Sequence, residues 1–390
     1  MSIDFDRVIP REGSHSVKHD GRQAYFGTQD LIPLWVADMD FAAPEAVTEA
    51  LMARATHPIY GYTRCPDSLP DALIQWMKKR HGWEIQREWI LLSPGVVSSL
   101  HAAVMAFAQS GEGVIVQPPV YFPFFSSVTV TGRRPIQNPL RLENGRYAMD
   151  FEHLERCAAD GARLLLLCSP HNPVGRVWRP EELAEVLRIA RRYDMVVLSD
   201  EIHADLVYPG YRNHSLAALT EDPHDIVTAV APSKTFNIPG LGLSALIVPN
   251  PKHHAAIRRV FDLLHLDARN PFSIVAFEAA YRHGGPWLDQ LLVYLDQTRR
   301  FAIDYLAGHV PAIRVIPPEG TYLLWLDCRG LGMNDDELKH FFVHEAKVGM
   351  NPGTVFGAGG SGFMRMNIGA PRLVIAEALE RIKDALARST

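Results

Sequence analysis

Residues 225–248 read DIVTAVAPSKTFNIPGLGLSALIV. The runs DIVTAV and LSALIV have the length and the apolar content of buried β-strands. Between them stands Lys234, in the turn APSKTFNIPG. Burying an ammonium group is strongly unfavourable unless it is paired, neutralised or hydrogen-bonded. Lys234 is therefore either a structural ion-pair partner or a nitrogen that does chemistry.

Working outward, the chain alternates. An irregular N-terminal arm precedes a first helix at PEAVTEALMAR (44–54). Helices at SSLHAAVMAFAQ (98–109) and PEELAEVLRIARRYD (180–194) then interleave with strands at GVIVQPP (113–119), RLLLLCSP (163–170), MVVLSD (195–200) and IVTAVAP (226–232). Near-continuous Val/Leu/Ile strands separated by helices predict a mostly parallel sheet covered on both faces. Each strand ends in a polar or Gly/Pro cluster: QPPVY, CSPHNPVG, SDEIH, APSKT. Ligands of open α/β sheets bind beyond the carboxyl ends of the strands, so these clusters should face one cleft. From about residue 286 the pattern changes to a long helix, WLDQLLVYLDQTRRFAIDYLAGH, then strands at TYLLWLDC and FMRMNIG. The expected organisation is an arm (1–45) joining a small domain, a large α/β domain (46–285) and a smaller α+β domain (286–390).

Composition narrows the function. A net charge of -5 with interspersed signs offers neither a basic stripe for nucleic acid nor a polybasic membrane patch, which leaves small-molecule work. Cys65, Cys157, Cys168 and Cys328 are far apart and form no C-x-x-C pair, so no metal site is indicated and a reducing, cytoplasmic setting is expected. The first residues lack the apolar core of a signal peptide, and no apolar run reaches the ~18 residues of a membrane span. The stretch GAGGSG (357–362) fits G-x-G-x-x-G, but the dinucleotide fingerprint needs a strand before it and a helix after it. Here a strand follows, and a glycine-rich loop is the better reading.

Three strand-end residues recur together: Asn172 in SPHNPVGR, Asp200 in SDEIH and Lys234 in SKTFN. With LWVADMDF (34–41), YGYT (60–63), CSPHNPVGRVW (168–178), SDEIHADLVY (199–208), SKTFNIPG (233–240), PEGTYLLWLD (318–327) and GFMRMNIGAPR (362–372), the chain resembles the fold-type I pyridoxal-phosphate (PLP) enzymes. The branch it resembles is that of the MalY/PatB-like cystathionine (cysteine-S-conjugate) β-lyases.

The resemblance implies the PLP-dependent transferase fold and a role for each matched residue. Lys234 would carry the cofactor and later act as the base at the substrate Cα. Asp200 would hold the pyridine nitrogen protonated, and Asn172 would donate to the phenolic oxygen. Tyr121 would stack on the ring, and His203 would lie beside the cofactor. The phosphate would take the amides of Gly95, Val96 and Val97 at a helix start, with the Ser233 hydroxyl. Tyr62 would reach the phosphate of a second subunit, with Tyr60 as the alternative, so a homodimer with shared sites is expected. Arg365 would clamp the substrate carboxylate, and Trp35 and Tyr322 would border the substrate, although Trp35 also reads as a core anchor.

The implied reaction cleaves L-cystathionine or another L-cysteine S-conjugate to a thiol, pyruvate and ammonia. The alternative is an aminotransferase. Two departures limit what the resemblance carries over, the first for the phosphate site and the second for the choice of reaction. Many aminotransferases of this fold place arginine eight residues after the lysine, where this chain has Gly242. They also place tyrosine three residues after the aspartate, where this chain has His203, the pattern of the lyase branch.

Overall fold

The structure is a computed structural model, described over residues 3–389. Seven strands form the central sheet, in the spatial order Ile90–Ser93, Ser244–Ile247, Ile226–Val230, Val196–Asp200, Ala162–Cys168, Gly113–Val116 and Arg134–Gln137. The five strands from Ile226–Val230 to Arg134–Gln137 pair in parallel, and Ser244–Ile247 is antiparallel to both of its neighbours. The apolar runs are explained by what each face meets. Along Ala162–Cys168, Leu165 and Leu167 enter one buried cluster while Leu164, Leu166 and Cys168 enter another. One cluster includes Leu183, Val186 and Ala190 of the helix Pro180–Arg192; the other includes Leu100 and Val104 of Val96–Phe107, with Ile257 and Phe261 of Pro251–Leu263. Both faces are therefore dry, and a strand buried on two sides shows no polar alternation.

A second, antiparallel sheet runs in the order Arg314–Ile316, Leu323–Asp327, Phe363–Asn367, Asn351–Pro352. The helix Arg372–Ser389 buries Ile375, Leu379 and Ile382 in the same core, and packs against the 25-residue helix Gly285–His309. The arm joins this region through a short parallel pairing of Ile32–Pro33 with Val348–Gly349.

The arm is less irregular than its sequence suggests. A helix at Arg22–Phe26 precedes the one at Glu45–Ala55, and it ends on Gly27, whose φ of 79° needs glycine. Five residues are too few for a 3.6-residue period to stand out. Among the described residues no helix is long and apolar enough to cross a membrane, and no cluster of His, Cys, Asp and Glu could hold a metal ion.

One buried ion cluster ties the loop after Ala162–Cys168 to the segment entering Leu323–Asp327. Glu319 accepts from Arg146 Nε at 2.8 Å, from Arg176 Nε at 3.0 Å and from the Val177 amide at 2.8 Å. Arg176 is fully buried, also pairs with Glu182, and lies over the Trp178 ring. Removing one partner of a buried pair leaves the other charge uncompensated, so Glu319→Ala should cost ~3–5 kcal/mol in urea unfolding. Arg146→Ala, which removes the most exposed partner, should cost no more than ~1 kcal/mol.

Candidate active site

The strand ends converge as the topology requires. Asp200 closes the central strand Val196–Asp200, Asn172 follows its neighbour Ala162–Cys168, and Lys234 follows Ile226–Val230 on the other side. They line one cavity of about 210 Å³, together with Tyr121, His203 and Ser233. Gly95, Val96 and Val97 close its far end.

That end is the N-terminus of Val96–Phe107, a 12-residue helix whose cap, Gly95, offers no side-chain acceptor and whose first turn holds no acidic residue. Its first amides are left to a ligand, and the positive end of the helix dipole favours an anion there. At Gly242, also on the cavity wall, an added Cβ would lie 3.0 Å from the Pro94 carbonyl oxygen. The position where related enzymes carry arginine is thus closely confined in this chain.

The electrostatics of the cavity are set by burial. Lys234 is pulled down to about 8 by desolvation; Asp38 and Asp200 work against that shift and Arg365 with it. Its Nζ donates to the Ala37 carbonyl at 2.6 Å. Asp200 is pushed up to about 7 by burial, opposed by the Ile202 amide at 3.1 Å and by the charge of Lys234. Burial, with Lys234 and Arg365 nearby, pushes His203 down to about 3, so it stays a neutral imidazole at physiological pH. Cys168 also lines the cavity, but burial raises its thiol far above neutrality, which removes it as a nucleophile.

Arg365 reaches this group from the second sheet. It is almost fully buried and donates to Asn172 Oδ1 at 3.0 Å, the Trp35 carbonyl at 2.8 Å and Asn351 Oδ1 at 2.7 Å. The first bond orients the Asn172 amide, leaving its Nδ2 as the donor end. Among the described residues Arg365 Nε has no hydrogen-bond partner. Tyr322 donates its hydroxyl to the Ala37 carbonyl at 2.8 Å, the oxygen that Lys234 also uses.

Trp35 contributes its backbone to Arg365, while its ring is buried, stacks on Tyr25 and donates Nε1 to the Lys18 carbonyl. Both of its sequence readings, core anchor and site neighbour, describe part of it. Tyr62 lies apart from these residues: it is fully exposed and outside its own chain's cavity, and Tyr60 is exposed as well.

Sequence reasoning missed Asn351, Asn237 and Asn367. Asn351 faces Arg365 across the pairing of Asn351–Pro352 with Phe363–Asn367, a relation that only the sheet register reveals. Asn237 and Asn367 grip the backbone of residues 36–41 from opposite sides. Asn237 was legible in part, because its φ of 55° is a conformation that asparagine tolerates better than most residues.

Residues 29–382 match the family of aminotransferases class I and II. Cystathionine beta-lyase PatB of Bacillus subtilis is 44% identical over 386 residues, covering 98% of this chain and all of that protein. The chain belongs to the aminotransferase class I and II family, in its MalY/PatB-like branch. Among solved structures, cystalysin from Treponema denticola, described as containing a pyridoxal 5′-phosphate cofactor, superimposes with a TM-score of 0.97 at 36% identity, over all of both chains. A PLP-bound putative aminotransferase from Clostridium difficile 630 also gives 0.97, at 39% identity, over 99% of this chain and all of the other.

The family cofactor can be tested against the residues present. It carries an aldehyde, a basic pyridine nitrogen, a phenolic oxygen and a phosphate. The cavity offers, in that order, an amine titrating near 8, a buried carboxyl short of donors, the Asn172 amide and an uncapped helix N-terminus. The donor set fits.

A carboxyl with a raised folded-state value destabilises the protein as it ionises. For Asp200 that window runs from its ordinary value of 3.8 to about 7: the loss is absent below it and complete above it. Asp200→Asn should therefore stabilise the cofactor-free protein progressively from pH 5 to pH 8, while weakening cofactor retention. Urea midpoints that stay parallel for the two proteins across that range would contradict this.

Proposed function

We propose that this chain is a PLP-dependent carbon–sulfur β-lyase acting on L-cystathionine or other L-cysteine S-conjugates. The observation that carries the reading is the 44% identity to cystathionine beta-lyase PatB across essentially the whole of both chains. His203, which departs from the aminotransferase pattern, supports it.

Bound PLP supplies an electron sink for the charge left at Cα when its proton is removed. Lys234 is the group that holds the cofactor and takes that proton, and a value near 8 gives it a substantial neutral fraction at physiological pH. Asp200 keeps the pyridine nitrogen protonated, Asn172 donates to the phenolic oxygen and Tyr121 covers the ring. Gly95, Val96, Val97 and Ser233 hold the phosphate, and His203 borders the ring as a neutral imidazole. Arg365 takes the substrate carboxylate, beside Trp35 and Tyr322. With the carboxylate clamped and Cα beside Lys234, a thiolate leaving from Cβ ends the first half of the reaction. Hydrolysis then yields pyruvate and ammonia, so one thioether and one water give one thiol, one keto acid and one ammonia.

The same reading divides the chain into an arm (1–45), a large cofactor-binding domain (46–285) and a small domain (286–390). It is supported by the two separate sheets and by the pairing of arm residues 32–33 with 348–349. The four free thiols support a cytoplasmic setting.

Purified protein should release pyruvate and ammonia steadily from cystathionine with no keto acid added. Lys234→Ala should lose several orders of magnitude in turnover, because the anchoring amine and the base go together. Efficient multiple-turnover amino transfer from glutamate, with negligible pyruvate, would instead establish the aminotransferase alternative.

We read the exposed Tyr62 as a phosphate ligand of a second copy, in a homodimer with shared sites. Mixing Tyr62→Phe with Lys234→Ala should then restore one intact site per mixed dimer and raise activity above either parent. No gain on mixing would place Tyr62 outside any site.

A further inference from the structure

The backbone of residues 35–41 runs across the site as a strap, and its carbonyls are shared among the residues assigned to chemistry. Ala37 receives both Lys234 and Tyr322, Trp35 receives Arg365, and Val36 and Asp38 receive Asn367. Asn237, three residues after Lys234, accepts from the Met39 amide and donates to the Met39 and Phe41 carbonyls.

The outer side of the strap carries a charge cluster that the proposed reaction does not use. Lys18 is completely buried, with Nζ 2.7 Å from Asp40 Oδ2 and 3.3 Å from the Asp38 carbonyl. Arg11 spans both carboxylates, at 2.8 Å from Asp38 and 2.7 Å from Asp40, and His19 Nε2 lies 3.1 Å from Asp40. Burial opposes ionisation of Asp40, yet Lys18, His19 and Arg11 together hold its carboxyl well below the usual range. A cluster of this kind has two discrete states, assembled or broken, because any one of these charges left alone in the interior is costly.

We infer that Arg11, Lys18, Asp38 and Asp40 are positioning residues, which lock the strap so that the Ala37 carbonyl aims the Lys234 amine and the Trp35 carbonyl aims Arg365. The residues bear directly on Lys234 in two ways. The Ala37 oxygen stabilises its ammonium form by hydrogen bonding, and the charge of Asp38 stabilises it through space. The other groups facing it are Asp200 and His203 at the strand end, Tyr322 beside Ala37, and Arg365 from the second sheet. Asp200 and His203 belong to the strand end and make no bond to the strap, whereas Tyr322 and Arg365 are bonded to it and move with it. A strap that slackens without uncovering Lys234 leaves the burial of the amine in place and withdraws both stabilising influences, so the amine becomes easier to deprotonate. The catalytic meaning of this control rests on the lyase reading, but the effect on Lys234 does not.

The test uses the full-length protein freed of cofactor. Reductive methylation with formaldehyde and cyanoborohydride across a pH series, followed by peptide mass spectrometry, gives the titration midpoint of Lys234. Arg11→Ala, Asp38→Asn and Asp40→Asn should each lower that midpoint, by ~0.5–1 pH unit. Lys18→Arg, which keeps the charge, should move it less than Lys18→Met. Arg87→Ala breaks an exposed ion pair with Asp71 remote from the strap and should leave the midpoint unchanged.

Arg11 is partly exposed, so its variant should fold even if the Lys18 and Asp40 variants do not. An unchanged Lys234 midpoint in folded Arg11→Ala and Asp38→Asn, with only the melting temperature lowered, would reduce the cluster to a structural brace and overturn the inference. A lowered midpoint in Arg11→Ala, which leaves the charge of Asp38 in place, supports it whether or not the holoenzyme releases pyruvate from cystathionine, so failure of that reaction bears on the proposed function alone.

Discussion

The contact on which the site depends is the 2.6 Å hydrogen bond from Lys234 Nζ to the carbonyl of Ala37. It joins two parts of the chain nearly two hundred residues apart, the turn after a central strand and the strap that crosses it. A neutral carbonyl is a suitable partner for a lysine proposed to give up its proton. A carboxylate in the same place would hold the ammonium firmly, whereas a carbonyl orients the nitrogen and leaves burial free to weaken its charge. The more distant charges of Asp38 and Asp200 limit how far that weakening goes.

Asp200 and Lys234 are pushed toward one another, one up to about 7 and the other down to about 8, because burial strips both of water and neither has a close counter-charge to offset it. In a core this is unfavourable, and it is tolerated where a ligand completes the set. A ligand with a cationic ring N–H would satisfy Asp200, and a phosphate on it would suit the uncapped amides after Gly95. The apolar strands around these groups strengthen both effects by keeping the dielectric low.

Much of the fold could be read from the sequence because its strands are buried on both faces. Runs such as LLLLC at 164–168 and VVLSD at 196–200 announce a covered, largely parallel sheet, and the polar residue closing each run marks the cleft. Lys234, Asp200 and Asn172 were legible for that reason: each follows a strand whose neighbours are known once the sheet is known. Asn351 was not, because its meaning lies in its register opposite Arg365. Neither was the strap. What Trp35 and Ala37 give to the site is main-chain carbonyl, and a carbonyl leaves no trace in residue type. Tyr62 is exposed and lies outside the cavity of its own chain, so the role proposed for it needs a second copy.

Arg365, proposed above to take the substrate carboxylate, shows the same design. Its three partners are two side-chain amides and a backbone carbonyl, none of them charged. Burial without a counter-ion lowers it to about 10, far enough above neutrality that it remains a full cation. A carboxylate partner would have stabilised the fold locally but would have occupied the fork that a substrate carboxylate needs. Neutral acceptors fix the direction of the guanidinium and leave its charge uncompensated, so the arriving carboxylate gains a charge-assisted pair without having to displace another anion. The Ala37 carbonyl does for Lys234 what Trp35 and Asn351 do for Arg365. In both cases the nitrogen is aimed by neutral oxygen rather than held by a counter-ion.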